Sequence, residues 1–410
     1  MEIRPILSAL LRNKTGPLLV AMQVALSLAI LANALHIVSE RREVAARPSG
    51  LLDEAATFYF SVRNLSQDTP EQQLASIKRQ LEVLRAVPGV AAAAQVSQMP
   101  MSRSGGTTSI AADYRQQRES GYASTYFTGD SLVKALGLKL VEGRDFLPHE
   151  IPEVNEQTSA GRPTLVIVTK PLADKLWPGA PAVGKTLYFG TGNPDGGARV
   201  VGVVEGLMSA HAELGETGIF SMIMPARQYG EGGAMYAIRS EAGQHERVMQ
   251  EAEQALRKDS PTPLILRTKT VAEDRKDRYR TDTALSWMLV TVSVLLLLIT
   301  CSGIVGMASL WVNQRRKQIG VRRALGARKL DILRYFILEN VMITSAGVVG
   351  GVLLGLGLNA LLVARLEMTR LPLPYLAAGA IVFWAIGILS AYGPAWRAAS
   401  ISPALATRST

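Results

Sequence analysis

Thr283-Ala-Leu-Ser-Trp-Met-Leu-Val-Thr-Val-Ser-Val-Leu-Leu-Leu-Leu-Ile-Thr-Cys-Ser-Gly-Ile-Val-Gly-Met-Ala-Ser-Leu-Trp-Val-Asn-Gln314 runs for 32 residues without Asp, Glu, Lys or Arg, and the next three residues are Arg315, Arg316 and Lys317. A helix needs only ~20 apolar residues to cross ~30 Å of hydrocarbon at ~1.5 Å per residue, so this stretch reads as a membrane span with a basic stop. Three further segments lack formal charge for 25 residues or more: Thr15 to Ser39, Asn340 to Ala364 and Leu371 to Trp396. The whole chain agrees, with 410 residues, 48% hydrophobic, 19% charged and a mean hydropathy of +0.16, too apolar for an ordinary soluble protein and too ordered for a disordered one. The expected fold class is a membrane α-helical protein of four transmembrane helices (15–39, 283–313, 340–364 and 372–396) carrying one large block at 40–282. Cys301 is the single cysteine; alone it makes neither an internal disulfide nor a cysteine-based metal site.

The formal charge of +10 resembles a nucleic-acid signal until it is divided among the segments between spans. Residues 1–14, 314–339 and 397–410 hold 13 basic and 3 acidic residues, whereas Ser39 to Asp282 holds 29 basic and 30 acidic. Four crossings put the three basic segments on one side, which the positive-inside rule makes the cytoplasm. The large block and the short link at 365–371 are then external. A buried helical hairpin for the last two segments would make that partition a coincidence. The first span is expected to stay as an anchor, because its uncharged run is too long for a signal-peptide core and ends in His36-Ile-Val-Ser-Glu-Arg-Arg42, without a small-x-small cleavage site.

The external block reads as α/β. A strand at Ala55–Val62 leads to Thr69-Pro70-Glu71-Gln72, an N-cap, a proline at the first helical position and a capping-box glutamine. The helix carries Leu74, Ile77, Leu81 and Leu84, stops at Pro88-Gly89, and a strand follows at Val90–Val96. The same order recurs at Ala234–Arg239, Gln244–Lys258 and Leu264–Thr268. Two β-α-β halves, about 53–98 and 230–269, thus flank an inserted, mostly β subdomain at about 99–229 with strand-like runs at Thr164–Thr169 and Arg199–Val204. Thr270-Val-Ala-Glu273 is a second capping box, and neither Gly nor Pro occurs from there to Gly303. One helix is expected from Val271 to Val312, its first turns a charged stalk at about 270–282 with Asp274 and Arg278 at i, i+4 on a solvated face.

Gly179-Ala-Pro-Ala-Val-Gly184-Lys185-Thr186 satisfies the phosphate-loop pattern, yet that pattern works only between a strand and a helix. Here Trp177-Pro178 precedes it, Pro181 removes a loop donor, and Thr186-Leu-Tyr-Phe-Gly190 reads as a strand and turn. Nucleotide binding by this loop is not expected, and no cofactor is assigned to the chain. His36, His149, His211 and His245 are too dispersed for ligand spacing, and no catalytic residues or metal ligands are assigned.

The informative cytoplasmic segment is Gln314-Arg-Arg-Lys-Gln-Ile-Gly-Val-Arg-Arg-Ala-Leu-Gly-Ala-Arg-Lys-Leu-Asp-Ile-Leu333. Gly320 and Gly326 punctuate a short basic helix between two spans, giving an elbow suited to press on a partner; the plainer alternative is that its charges set topology and touch anionic lipid. The residues expected to couple to a partner are Ile319, Gly320, Arg322, Arg323, Leu325, Gly326 and Ala327. Gly347, Gly351 and Gly355 recur every four residues in the third span, the spacing of close helix packing, either within the chain or between two copies.

The 314–333 segment is similar to the signature of the FtsX-like permeases, the membrane subunits of MacB-type ABC transporters. Val141-Glu-Gly-Arg-Asp-Phe146, Val166 to Leu187 and Val200-Val-Gly-Val-Val204 resemble that family's periplasmic core domain in order and spacing, so the false phosphate loop belongs to the domain's own pattern. The resemblance implies a non-catalytic permease of the inner membrane with its large domain in the periplasm, working as a homo- or heterodimer. ATP and Mg would sit on a separate cytoplasmic ATPase, since the chain begins 14 residues before its first span. It also implies mechanical relay to the outer domain and export of a peptide, lipopeptide or antibiotic-like cargo, with a periplasmic adaptor and outer-membrane duct in some members. Within the family, lipoprotein release and regulation of cell-wall hydrolases are the rival roles; a membrane-tethered ligand sensor is the rival from another class. Gln318 departs from the Glu that usually precedes Ile-Gly, which puts in doubt any salt bridge that Glu makes with an ATPase.

Overall fold

The computed structural model describes Leu10 and residues 14–400 apart from 66–67, 159–162, 231–232 and 367–368. It divides into two units, Val44–Thr281 and the chain up to Glu43 together with Asp282 onward. Helix α1 (Thr15–Ala45) is followed by β1 (Thr57–Asn64), α2 (Pro70–Arg85) and β2 (Val90–Gln95). Then come β3 (Thr107–Ala111), β4 (Gly121–Thr128), α3 (Leu132–Leu136), β5 (Leu140–Gly143), β6 (Glu153–Asn155), β7 (Leu165–Thr169) and α4 (Lys170–Leu176). The unit continues through β8 (Thr186–Phe189), β9 (Gly197–Val204), β10 (Ser221–Pro225), β11 (Arg227–Tyr229), β12 (Ala234–Ser240), α5 (His245–Asp259) and β13 (Leu264–Thr270).

The two β-α-β halves share one sheet in the order β13-β1-β12-β2, every neighbouring pair antiparallel. Each half is therefore split by a strand of the other. The capping box opens α2 as its residues require: the Thr69 hydroxyl accepts the Gln72 N–H and the Gln72 side chain accepts the Thr69 N–H, which satisfies two of the donors a helix start leaves orphaned. Alternation along β1 sends Phe58, Phe60 and Val62 toward Ile77, Leu81 and Leu84 of α2 and Val248, Ala252 and Leu256 of α5. The opposite face carries Tyr59, Ala94 and Ala237 into a second core shared with the insertion. Within the insertion, β9-β7-β10-β4-β3-β8 closes on itself because β8 also pairs with β9. The outer edge of β9 is shared between β8 and β5, so closure removes most of the free strand edges.

Helix α6 (Val271–Gln314) starts at the Thr270/Glu273 capping box, where the Glu273 carboxylate accepts the Thr270 N–H at 2.8 Å and the Thr270 hydroxyl accepts the Glu273 N–H at 3.1 Å. Its first turns correct the expectation of a solvated charged stalk. Asp274 is 1% exposed and accepts from the Tyr59 hydroxyl at 2.8 Å and the Lys269 ammonium at 2.6 Å. Arg275 makes a two-pronged pair with Glu54 at 2.6 and 2.7 Å and donates to the carbonyls of Ala45 and Arg47. Arg278 donates to the carbonyls of His211 and Ala212. Residues 271–281 are thus docked within the Val44–Thr281 unit, because their charges have partners that lie up to 230 residues away in sequence.

Burial and the adjoining Asp274 carboxylate push the Tyr59 phenol far above its ordinary value. Burial pushes the Glu54 carboxyl up, but hydrogen bonds from Arg275 and Ser49 together with the Arg275 charge outweigh it and leave Glu54 below the usual carboxylate value of 4.5. A carboxyl depressed on folding contributes stability above its unfolded pKa and loses that contribution as pH falls through the folded one. We therefore expect Glu54→Gln to melt at lower temperature than the native protein at pH 7. The gap should shrink below pH 4.5 as the native carboxyl protonates; a gap that stays constant from pH 7 to pH 3.5 would show that the pair contributes no pH-dependent stability.

Among the described residues four helices are long and apolar enough to cross a membrane: α1, α6, α8 (Lys329–Leu366) and α9 (Leu373–Ala399); α7 (Arg316–Ala324) joins the middle pair. More than half of the apolar window of α1 is enclosed by protein, against less than a third for each of the others. Val20, Val24, Leu28 and Leu31 form its buried stripe. Gly347, Gly351 and Gly355 of α8 lie against that stripe. A Cβ on Gly347 would sit 2.7 Å from Val24 Cβ, one on Gly351 2.9 Å from Leu28 Cβ, and one on Gly355 3.5 Å from Ala29 Cα. The close approach lets the Asn33 amide donate to the Gly355 carbonyl at 3.2 Å, while Ser27 and Thr300 link α1 to α6 at 2.9 Å.

Gly357, on the same helix, has open space where a Cβ would stand. Gly351→Val is therefore expected to lower the detergent-solubilised melting temperature by several degrees, as an overpacked core site does at ~1–3 kcal/mol, and Gly357→Val to leave it nearly unchanged. Equal melting of the two variants would contradict the packing described.

Candidate functional site

The site is built where α6 ends. Gln314 closes α6, Arg315 turns the chain, and α7 lays one face on the neighbouring helix ends. Ile319 and Gly320 are buried, and Ile319 packs in a cluster with Val312, Ile332, Phe336 and Ala395. Gly320 lies inside α7, which corrects the reading of it as a helix break: it is a buried small residue on the packed face.

Gly326 does end the helix. Its φ is +97°, the Ala327 N–H donates to the Arg322 carbonyl at 3.1 Å, and the Gly326 N–H donates to the Arg323 carbonyl at 3.2 Å. These two bonds are the 6→1 and 5→2 pair of a Schellman motif, whose left-handed residue is best supplied by glycine. The Arg328 N–H then donates to the Asp331 carboxylate at 3.0 Å as α8 begins.

The other face of α7 has no cover. Val321 is 51% exposed and Leu325 82% exposed, one helical turn apart and therefore adjacent. Arg322 stacks over the Tyr335 ring at 5.3 Å and Arg323 donates to the Ala327 carbonyl, so these two arginines brace the turn. Gln318 is exposed. The elbow is thus an apolar knob in a basic frame, held rigidly from behind.

An ion pair that sequence reading missed completes it. Arg315 donates to Glu339 at 2.9 Å, and the Glu339 side chain is 1% exposed. Arg315 counts in the sequence as one topology charge among eight and Glu339 as a counter-charge in the same segment; their 24-residue separation gives no local signal that they meet. The pair ties the α6–α7 junction to α8. Removing one partner of such a buried pair is costly because it strands the other charge.

The phosphate-loop match has the wrong surroundings. The Gly184 N–H donates to the Val200 carbonyl and the Lys185 carbonyl accepts from the Val200 N–H, both at 2.8 Å, and the residues after Lys185 form strand β8. The loop's backbone is committed to β9, and a strand rather than a helix follows it. The Lys185 ammonium lies 5.5 Å from the centre of the Trp177 ring. Among the described residues no group of three or more His, Cys, Asp or Glu is placed to hold a metal ion.

Four spans, an elbow between the second and third, and a split α/β module with a closed β insertion between the first and second define a membrane permease with one large domain outside the spans. The sequence matches the MacB-like periplasmic core domain over residues 22–257 and the FtsX-like permease C-terminal domain over residues 290–403; the chain belongs to the FtsX-like ABC permeases with a MacB-like periplasmic core. It is 30% identical over 204 residues to the macrolide export ATP-binding/permease protein MacB of Syntrophobacter fumaroxidans, covering 48% of this chain and 28% of that one. It is 26% identical over 324 residues to the MacB of Neisseria gonorrhoeae, covering 75% and 46%. To the pyoverdine export ATP-binding/permease protein PvdT of Pseudomonas syringae it is 34% identical over 130 residues, covering 32% and 20%. The matches span less than half the length of these relatives.

The geometry at Gly326 changes what a substitution there tests. A Cβ would meet nothing within 4 Å, so within this chain the cost of a side chain is the left-handed backbone, ~1–2 kcal/mol for an L-residue and least for Asn. If the elbow couples to an ATPase, Gly326→Val is expected to abolish that protein's stimulation while the variant still reaches the membrane, whereas Gly326→Asn and Arg328→Gln retain most of it. If Gly326→Asn is as damaging as valine, the site is tight against a partner; if Arg328→Gln is the worst of the three, the elbow acts through charge.

Proposed function

We propose that this chain is the inner-membrane permease subunit of an ATP-driven exporter, with its termini and elbow in the cytoplasm and Val44–Thr281 in the periplasm. Hydrolysis is assigned to a separate ABC ATPase, which carries ATP and Mg, while this chain is non-catalytic and passes the ATPase movement along α6. The observation that carries the reading is the elbow itself: Val321 and Leu325 are exposed one turn apart on a helix whose back is packed and whose end is fixed by a Schellman turn. An exposed apolar knob on a rigid support, framed by arginines, has the makings of a protein contact. Charge on lipid alone would need neither the knob nor the fixed turn.

The exporters among its relatives support a peptide, lipopeptide or antibiotic-like cargo handled on the periplasmic side. A second copy of the permease, identical or related, would complete the transporter, with an adaptor and outer-membrane duct as further partners.

Two measurements test this on a Cys301→Ser background. Single cysteines at Lys139, which is 71% exposed, and at Arg328 are labelled in intact cells with a membrane-impermeant thiol reagent; labelling at 139 alone is expected, and labelling at 328 alone reverses the topology. A photo-cross-linker at position 325 is expected to capture a nucleotide-hydrolysing protein in membranes. Capture of lipid and no protein would overturn the coupling role.

A further inference from the structure

The sheet face that lies away from α2 and α5 is buried at one end and open at the other. At the open end a cleft of about 440 Å³ lies between the sheet and the inserted β module. Its floor is set by strand register. Ser61 pairs with Arg267 on one side and Met235 on the other, and the Val96 N–H donates to the Met235 carbonyl, so Arg267, Ser61, Met235 and Val96 make one row across four strands. Arg63 pairs with Ile265 two residues further along, the next row on the same face. Arg63 and Arg267 are therefore diagonal neighbours on adjacent strands, within about 8 Å at the backbone, near enough for both guanidinium groups to reach one anion.

Two properties make this more than a surface dent. Neither Arg63 nor Arg267 has an ion pair or side-chain hydrogen bond among the described residues, whereas the half-buried Arg227 and Arg275 of the same unit each bind a carboxylate and a carbonyl. Two like charges placed diagonally repel, so their juxtaposition does not stabilise the fold. Glu156 is the one carboxylate on the described lining, so the described lining keeps a positive balance. The second property is the lining chemistry: Met235, Val96, Phe127 and Ile265 offer apolar contact, while Ser61, Ser97, Gln95 and Gln228 offer hydrogen-bonding groups to a polar backbone. Gly233 also lines it, at φ +135°, where a Cβ would stand 2.2 Å from the Val62 carbonyl oxygen.

We infer that this cleft binds the free carboxyl end of an apolar peptide segment, with Arg63 and Arg267 holding the terminal carboxylate. Paired guanidinium groups recognise a carboxylate through directed, charge-assisted bonds. The polar lining serves the amides next to it and the apolar lining serves the side chains. A bare hydrocarbon tail would leave the Gln95 Oε1 atom, which has no partner among the described residues, still unsatisfied, which is unfavourable on burial. The inference is independent of the elbow and of any ATPase, because it concerns binding within Val44–Thr281 in the absence of nucleotide.

The test uses the full chain in lipid nanodiscs without ATP and a dansyl-Leu-Val-Phe probe, as free acid and as carboxamide, read by fluorescence anisotropy. The free acid is expected to bind saturably and at least tenfold more tightly than the amide. Arg63→Gln and Arg267→Gln, both at exposed positions and checked by unchanged melting, should each erase that preference, and Arg267→Lys should restore part of it. Lack of saturable binding, equal binding of acid and amide, or an acid preference that survives both glutamine variants overturns the inference. Dansyl-undecanoate bound as tightly as the peptide acid would also overturn it, since the polar lining would then be unused.

Discussion

The membrane unit depends on one steric constraint, the absence of three Cβ atoms along α8. In hydrocarbon there is no water to drive apolar helices together, so association rests on close packing and on polar contacts between helices. Gly347 and Gly351 open a groove into which Val24 and Leu28 of α1 fit at separations that a Cβ would close, and Gly355 continues it at ordinary contact distance from Ala29. The Asn33 amide reaches the Gly355 carbonyl only because the backbones are that near. α1 is the most enclosed helix of the four, and Gly379 of α9 and Gly303 of α6 also approach its side chains, Leu28 and Gln23. The other spans are arranged around a helix that small residues allow them to touch.

What the sequence shows and what it hides follow from the range of the interactions concerned. The spans are legible because hydrocarbon imposes an absolute length and polarity requirement on each segment independently. The start of α2 and the start of α6 are legible because a capping box lies within four consecutive residues. The two β-α-β halves are legible through their periodicity and turn residues, although nothing local says that they interleave. The docking of Asp274, Arg275 and Arg278 is not legible. On a helical wheel they look like an exposed charged face, and only the fold brings Tyr59, Glu54 and the His211 carbonyl to them. Arg315 and Glu339 fail to announce themselves for the same reason.

At the elbow, local and distant information divide differently. Gly326 was recognisable as a helix end, since a glycine after a short helical run is the ordinary signal for a left-handed cap. Gly320 sends the same signal and means something else: it is inside α7 on the side packed against the helix ends. The exposure of Val321 and Leu325 could not be separated in the sequence from the burial of Ile319, because a nine-residue amphipathic helix does not state which way its apolar side chains are shared. The architecture resolves it. Ile319 and Gly320 lie on the packed side, and Val321 and Leu325 are left uncovered.

The interleaved sheet has a temporal consequence. β1 ends at Asn64, yet its two neighbours are β12 and β13, the latter closing only at Thr270. A chain delivered from its amino end must hold β1, with Phe58 and Phe60, unpaired while roughly 170 residues of insertion and flanking chain emerge, a long interval for an aggregation-prone edge. The insertion has its own closed strand ring and its own apolar core, so it can mature first and bring β2 and β12 near one another as it does. The strand that finishes the sheet is followed, without a single intervening residue, by the helix that carries the second span. Completion of the outer sheet and delivery of that span to the bilayer are consequently adjacent events in the birth of this molecule.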